Sequence, residues 1–244
     1  MVKKLKNIKV LVWDVDGTLY QTPAEFYNQL HQFWVGEVKK KLGLSFEKAE
    51  KIYDQYKKKY LSSTLTLKVL GIGEEKEILV KSEEIVKGKK FIKKDPKLVG
   101  LFRKLKNFRH LVLRNGTRRE TIARLELLGL IEREKRGKYL STERSDRFYP
   151  CLEYSGGLGS FERVFGTVDA FDTVKPDEKV FKKILEYTKL PADQHLMIGD
   201  RVEVDLMPAK KLGMRTCLVW SESDNKNVDV SIKRIYDIIN LLAC

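Results

Sequence analysis

The chain has 244 residues, of which 42% are hydrophobic and 10% aromatic, so it can build one large domain or a domain with an insertion. Its 16 glycines and 6 prolines exclude collagen-like and Pro/Gly-rich disordered proteins. The 48 Lys and Arg residues outnumber the 34 Asp and Glu residues, giving a net charge of +14. Such a charge favours an anionic partner: nucleic acid, an anionic membrane surface or a phosphorylated small molecule.

The sequence predicts a cytoplasmic protein without a membrane segment. No apolar run approaches the roughly 20 residues that a transmembrane helix needs. The N-terminus is basic and then apolar, but its apolar run is broken at Asp14, too early for a signal peptide. Cys151, Cys217 and Cys244 are odd in number and widely spaced, which favours free thiols in a reducing compartment.

The sequence pattern of the first 94 residues predicts one strand followed by a block of helices. Residues 8–13 form a short apolar run, typical of a buried strand, which ends at an acidic turn. A capping box at 22–25 predicts the start of a first helix, and Gly43 its C-cap. Ser45 predicts the start of a second helix, and two shorter helices are expected at 65–70 and 78–86.

Helices and strands alternate after residue 95, with no internal repeat. The pattern predicts strands at 110–113, 164–165, 195–198 and 216–219. It predicts helices at 98–105, 117–128, 176–190, 205–212 and 232–242, and the second of these begins with a capping box from Thr117 to Glu120. Alternating units of this kind predict an α/β fold with a doubly wound parallel sheet. We therefore predict a core of residues 1–19 and 95–244, a helical cap at 20–94, and an insertion without clear periodicity at 132–160.

Four groups of polar residues follow predicted strands or open predicted helices. They are Asp14 with Asp16, Gly17 and Thr18; Arg114 with Asn115; Lys175; and Gly199 with Asp200 and Asp205. The carboxyl ends of parallel strands meet at one edge of a sheet, so these side chains are expected to converge. Carboxylates there suit Mg²⁺, a lysine can neutralise a phosphoryl group, and a turn that opens a helix can bind an anion.

Each group also has a structural explanation. Asp16 and Gly17 could serve turn geometry, Asp200 could be a helix N-cap, and Arg114 with Asn115 could be an ordinary strand–helix junction. Most of the 48 basic residues are expected to be solvated, so Lys175 alone is uninformative.

Together and in this order, the four groups resemble the haloacid dehalogenase-like hydrolase superfamily, over most of the chain. The helical block at 20–94 resembles the first type of helical cap in that superfamily. The resemblance implies a phosphatase that forms an aspartyl-phosphate, because the acid/base Asp16 is absent from dehalogenases. Asp14 is then the nucleophile, Asp16 the general acid and base, and Lys175 stabilises Asp14 and the phosphoryl oxygens. Mg²⁺ is implied as cofactor, held by Asp14, the Asp16 carbonyl and Asp200, with Asp205 orienting or joining this set.

The resemblance also assigns phosphate binding to Arg114, Asn115, Lys175 and Thr18. Arg114 departs from the family, which usually carries Ser or Thr at this position. Arginine binds phosphate bidentately but is larger, so it could also crowd the site.

The substrate is less well defined by the sequence. Tyr20 and Tyr27 in the cap, with its Tyr- and Lys-rich second helix, resemble pyrimidine 5′-nucleotidase-like members, and either ring could stack on a base, although cap packing is the simpler explanation. Sugar phosphates, phosphoglycolate and mutase substrates stay open.

A different class of function also fits the charge. Residues 87–94 carry five lysines, and residues 97–119 carry eight Lys or Arg and no acidic residue. A catalytically weak protein of the same fold could bind nucleic acid or a phosphorylated partner through this basic surface. The four converging charged groups favour the enzyme, because buried charges are costly unless they are used.

Overall fold

The computed structural model describes residues 4–132 and 159–242. Within these residues the chain forms six parallel strands: β1 (Val10–Trp13), β2 (Arg109–Arg114), β3 (Arg163–Gly166), β4 (His195–Gly199), β5 (Arg215–Leu218) and β6 (Val230–Ser231). Their order in the sheet is β3-β2-β1-β4-β5-β6. The chain winds outward from β1 in one direction and then, from β4, in the other. The strand order therefore reverses between β1 and β4, the position where such sheets bind ligands.

Alternate residues of β1 enter two separate hydrophobic clusters. Val10 and Val12 face one cluster, whereas Leu11 and Trp13 face the other, as the pleat of a strand requires. Residues of α5 (Pro96–Lys104) and α6 (Arg118–Leu128) belong to the second cluster, and residues of α8 (Glu178–Thr188) and α9 (Met207–Lys211) to the first. A short helix, α7 (Thr167–Ala170), directly follows β3. Helices thus cover both faces of the sheet, which confirms the doubly wound α/β fold.

Four helices lie between β1 and β2: α1 (Ala24–Leu42), α2 (Phe46–Tyr60), α3 (Ser63–Val69) and α4 (Glu75–Ile85). They enclose a small hydrophobic cluster of their own, which includes Val35, Val38 and Tyr53. Gly43 takes the left-handed conformation at the end of α1, and the Ser45 side chain caps α2, as predicted. We call this helical segment, residues 20–94, the helical insertion; its division from the core as a separate domain stays a prediction.

Several predicted elements differ from the structure. The capping box at 22–25 does not form, because α1 begins only at Ala24 and its N-cap is Pro23, which has no side-chain donor or acceptor. The prediction of a closing helix at 232–242 is wrong, because only a 3₁₀ segment, Ile235–Asn240, forms there. The two residues just before the predicted helix, 230–231, extend the sheet as β6. The helix expected at 205–212 begins with a π-helical turn, Val202–Leu206, before α9.

Nearly all of the insertion predicted at 132–160 lies outside the described residues, as do Cys151 and Cys244. Within the described residues, Cys217 is a buried free thiol. No helix among them is both long enough and apolar enough to cross a membrane.

Candidate active site

The loop after β1 places Asp14 at the carboxyl edge of the sheet. The Asp14 backbone N–H donates to the Ile198 carbonyl of β4 at 3.0 Å, and the Asp14 side chain is buried. Thr18 Oγ1 lies 3.2 Å from Asp14 Oδ2 and 3.3 Å from Asp200 Oδ1, so it joins this loop to the one after β4. Gly17 has φ +84°, and a Cβ there would overlap the Asp200 carboxylate. Glycine is therefore needed for the two loops to approach each other.

Asp14, Asp200 and Asp205 form a cluster in which one carboxylate oxygen of each lies within 4.8 Å of the others. Burial and then the charge of Asp14 raise the pKa of Asp200 to about 7. Asp205 Oδ2 is buried, accepts no hydrogen bond from the described residues, and lies 3.6 Å from Arg201 Nε. Crowded carboxylate oxygens, one of which accepts no hydrogen bond, fit a hard divalent cation such as Mg²⁺. The Asp16 side chain is not part of this cluster, so only its backbone carbonyl is left for the metal role predicted for it.

Lys175 is completely buried among these carboxylates. Its Nζ lies 2.6 Å from Asp14 Oδ1, 2.6 Å from Asp205 Oδ1 and 3.0 Å from the Leu113 carbonyl oxygen. Burial opposes the charge, but Asp14 and Asp205 raise the pKa of Lys175 above its ordinary value. The ammonium group is therefore a fixed positive charge beside the predicted nucleophile.

Asn115 holds the backbone of Lys175. Its Nδ2 donates to the Lys175 carbonyl at 2.9 Å, and its Oδ1 accepts the Lys175 N–H at 2.9 Å. Asn115 Oδ1 also accepts from Thr167 Oγ1 at 3.2 Å. The structure thus shows Asn115 orienting Lys175, and the phosphate-binding role predicted for it stays a prediction.

Two buried arginines hold Asp16. Arg114 Nε donates to Asp16 Oδ2 at 2.6 Å, and Arg124 Nε donates to Asp16 Oδ1 at 2.9 Å. Tyr20 also donates its hydroxyl hydrogen to Asp16. Although burial disfavours the carboxylate, Arg114 and Arg124 hold the pKa of Asp16 well below its ordinary value. Asp16 is therefore ionised in this conformation.

The sequence did not reveal Arg124 or this role of Tyr20. Arg124 lies on α6 beside the buried Leu125 and Leu128, on the helix face that packs on the sheet. A basic residue on an otherwise apolar face was the available signal, because buried arginines are rare unless paired. The Tyr20 ring was expected to stack in the cap or on a base, whereas its hydroxyl binds Asp16.

A cavity of about 140 Å³ lies between the helical insertion and this edge of the sheet. Its charged lining residues are Asp14, Asp16, Glu83, Arg114, Arg124 and Arg201. It is also lined by apolar and hydroxyl-bearing residues of the insertion: Phe26, Leu30, Trp34, Leu79, Val86, Ser62, Ser63 and Thr64. The indole N–H of Trp34 is buried without a hydrogen-bond partner among the described residues. The cavity thus combines a charged reaction centre with a small, mixed recognition surface.

Two carboxylates after β1, a buried lysine and a carboxylate cluster meet at the switch point of this α/β fold, the place where such sheets bind their ligands. Residues 8–213 match the family model described as "haloacid dehalogenase-like hydrolase". The chain belongs to this family of hydrolases.

Similar structures support the fold over the whole chain. A HAD phosphatase from Thermococcus onnurineus has a TM-score of 0.56 at 17% identity, with 96% of both chains covered. A HAD hydrolase from Bacillus subtilis, crystallised with magnesium, has a TM-score of 0.57 at 15% identity, with 98% of this chain and 100% of the other covered.

Two curated relatives match shorter segments of the sequence. Both are named glyceraldehyde 3-phosphate phosphatase. The protein from Pyrococcus abyssi is 43% identical over 61 residues, which are 25% of this chain and 24% of the relative. The protein from Methanocaldococcus jannaschii is 30% identical over 81 residues, 31% of this chain and 36% of the relative. The chain thus matches about a quarter to a third of the length of these relatives.

Proposed function

We propose that this protein is a Mg²⁺-dependent phosphatase that hydrolyses small phosphate monoesters through an aspartyl-phosphate. The observation that carries the proposal is the position of Asp14, buried at the switch point with Lys175 Nζ at 2.6 Å and two further carboxylates beside it. A carboxylate that is fixed and flanked by a cation suits attack on phosphorus. Asp14, Asp200 and the Asp16 carbonyl would hold Mg²⁺, with Asp205 supporting them, and the ion supplies charge that offsets the phosphate dianion.

In the first half of the reaction, an Asp14 oxygen forms a bond to phosphorus while the bond from phosphorus to the ester oxygen breaks. That oxygen leaves with the bonding pair and takes a proton from Asp16, which is ionised in the conformation described and must first take up this proton when the negatively charged phosphate binds beside it. In the second half, the Asp16 carboxylate takes a proton from water, and the resulting hydroxide attacks phosphorus and displaces Asp14. Phosphate leaves and Asp16 is protonated again, so protons and charges balance. Arg114 and Arg124 favour the ionised form of Asp16, which suits its role as the base.

The cavity favours a small leaving group. Its volume of about 140 Å³ resembles that of an apolar cavity that holds one benzene ring, roughly 150 Å³. A three-carbon ester such as a triose phosphate suits this space, and the two relatives named glyceraldehyde 3-phosphate phosphatase support the same size class. A nucleoside monophosphate is the alternative, and because it is larger than this cavity, part of it would lie outside.

The test is phosphate release from a panel of esters, with Mg²⁺ or with a chelator. The panel contains glyceraldehyde 3-phosphate, glycerol phosphate, phosphoglycolate, hexose phosphates and pyrimidine nucleoside 5′-monophosphates. We expect Mg²⁺-dependent release, fastest with the three-carbon esters, and its loss in Asp14→Asn. Asp172→Asn is the matched control, because the Asp172 side chain is fully exposed. Absence of release from every ester, together with salt-sensitive binding of oligonucleotides, would favour the binding protein instead.

A further inference from the structure

Glu83, in the helical insertion, contacts the catalytic edge of the core through Arg114. Arg114 Nη1 donates to Glu83 Oε1, while Nε of the same guanidinium donates to Asp16 Oδ2 at 2.6 Å. The side chains of Arg114 and Glu83 are only 6% and 8% exposed. One planar guanidinium thus joins a residue of α4 to the acid/base residue after β1.

Glu83 also occupies the start of α6. Its carboxylate accepts the Thr117 N–H at 3.3 Å and the Thr117 hydroxyl at 2.9 Å. The sequence predicts a capping box here, in which Glu120 would bind the Thr117 N–H. In the structure Glu120 instead pairs with Lys89 and Arg124, and Glu83 takes its place. A residue from outside the core therefore completes this helix start.

The core backbone leaves space for this contact. A Cβ on Gly116 would overlap both Arg114 Nη1 and Glu83 Oε1, and Gly116 has φ +147°. A side chain at 116 would force the Arg114 and Glu83 side chains to shift from these positions. The glycine, the buried arginine and the uncompleted capping box thus all accommodate one carboxylate from the insertion.

We propose that Glu83 is a positioning residue, which binds Arg114 when the helical insertion is closed and thereby fixes the Arg114 guanidinium on Asp16. Glu83 does not touch the reacting atoms. Its carboxylate pairs with Nη1 of Arg114 and so keeps Nε of the same guanidinium directed at Asp16. Closure of the insertion over the substrate and alignment of the acid/base residue therefore occur together. This inference rests on the proposed phosphatase function. It assigns to the unusual Arg114 a role that a serine or threonine cannot perform, because a hydroxyl is uncharged and has a single hydrogen to donate, whereas the guanidinium donates to both carboxylates.

The first experiment compares the kinetics of Glu83→Gln with those of Glu84→Gln, using the best ester of the panel. Glu84 is the adjacent, exposed residue of α4 and is the matched control. Loss of a hydrogen bond to a charged group changes an equilibrium or rate constant by about tenfold or more. We therefore expect Glu83→Gln to raise KM and to lower kcat, each by about tenfold. A change in KM alone would show that Glu83 only closes the insertion, and would overturn the positioning role. Equal behaviour of the two variants would overturn it as well.

A double-mutant cycle tests whether the effect passes through Arg114. In an Arg114→Gln background, we expect Glu83→Gln to change kcat by less than about twofold, because the coupled contact is already lost. Arg114→Lys should not rescue kcat, since an ammonium group lacks the two-sided geometry of guanidinium. Additive effects of the two substitutions on kcat would contradict the proposal.

Hydrogen exchange separates this inference from the proposed function. The Thr117 N–H donates to the Glu83 carboxylate. Its hydrogen should therefore exchange with solvent at least about tenfold faster in Glu83→Ala than in Glu84→Ala, whether or not the protein hydrolyses any ester. Unchanged protection would show that Glu83 does not stay on the core in solution, and would overturn the inference. Lack of turnover in the wild type with loss of protection in Glu83→Ala would instead refute the phosphatase and, with it, the catalytic role given to Glu83.

Discussion

The Arg114 guanidinium donates from Nε to Asp16 Oδ2 at 2.6 Å, across the gap between the ends of β2 and β1. An arginine at this position was expected either to bind phosphate or to crowd the site. The structure shows that it binds the residue to which acid and base catalysis is assigned. Activity should therefore depend on Arg114 even if no phosphate oxygen contacts it.

Arg114→Thr should lower both stability and activity. The substitution leaves Glu83 buried without its cation, which typically costs about 3 kcal/mol, and deprives Asp16 of one of its two arginines. Urea unfolding followed by circular dichroism measures the free energy, and phosphate release measures the activity. Arg103→Thr, at an exposed position of α5, is the control. Preserved stability with raised activity would mean that Arg114 merely crowds the site.

Lys175→Met should destabilise the protein strongly. Asp14 and Asp205 would lose the ammonium group that lies 2.6 Å from each, and the loss of one partner of a buried ion pair costs about 3–5 kcal/mol. We expect added Mg²⁺ to restore part of this loss, which urea unfolding with and without the ion would detect. Lys182→Met, exposed on α8, should have little effect. A similar unfolding midpoint in both variants would argue against the buried pair.

Mg²⁺ should raise the unfolding temperature of the wild type. Binding to the folded state alone adds about 2.7 kcal/mol at a metal concentration one hundred times the Kd. Asp200→Asn replaces one carboxylate of the cluster with a neutral amide and should reduce the shift at a given metal concentration. Differential scanning calorimetry at matched ionic strength, with NaCl as the control for screening, measures the effect. Equal shifts in the wild type and in Asp200→Asn would place the metal elsewhere.

Trp34→Phe should weaken recognition of oxygen-bearing leaving groups selectively. The substitution keeps an aromatic ring near Tyr53, whose centroid lies 6.2 Å away, but removes the unpartnered indole N–H beside the cavity. If that N–H binds a substrate oxygen, kcat/KM for glyceraldehyde 3-phosphate should fall about tenfold, the value of about one hydrogen bond. Propyl phosphate, which lacks the oxygen, is the control substrate. Equal losses with both esters would show that the ring only fills space.

The stability should decrease as the pH falls below about 6.5, through His110. Trp13 Nε1 donates to His110 Nδ1 at 3.1 Å, and burial lowers the pKa of His110 from 6.5. Below pH 6.5 His110 binds a proton in the unfolded chain but stays neutral in the folded protein. The fall in pH therefore favours unfolding until it reaches the lower pKa of His110 in the folded protein. The contribution is at most about 1.4 kcal/mol per pH unit.

His110→Gln removes this titration while keeping polar atoms near Trp13. Urea unfolding of the wild type and the variant at about pH 7.5 and about pH 5.5 gives the contribution of His110 by difference. We expect the wild type to lose more stability than the variant over this interval. Parallel losses in the two proteins would show that His110 is not the group responsible.

Local patterns in the sequence determined most of the fold. The apolar runs before Asp14 and Asp200 predicted buried strands, and the helical spacing between residues 20 and 94 predicted the insertion, because periodicity reflects which face of an element is buried. The order of the polar groups after these strands predicted where Asp14, Lys175, Asp200 and Asp205 would meet. The short strand β6 and the π-helical turn were not predicted, since both depend on pairing with distant residues.

Only the tertiary structure decided how the charges are paired. Nothing in the local sequence identifies the partners of Arg114, Arg124 and Glu83, because charge alone does not specify a partner. Folding brings Asp16 and Arg124, 108 residues apart, within hydrogen-bond distance and removes water from between them. Asp14 and Lys175 are 161 residues apart and meet in the same way. The sequence by itself determined which groups are present at the site, and packing determined which of them act on each other, since burial is what makes a charge depend on its nearest partner.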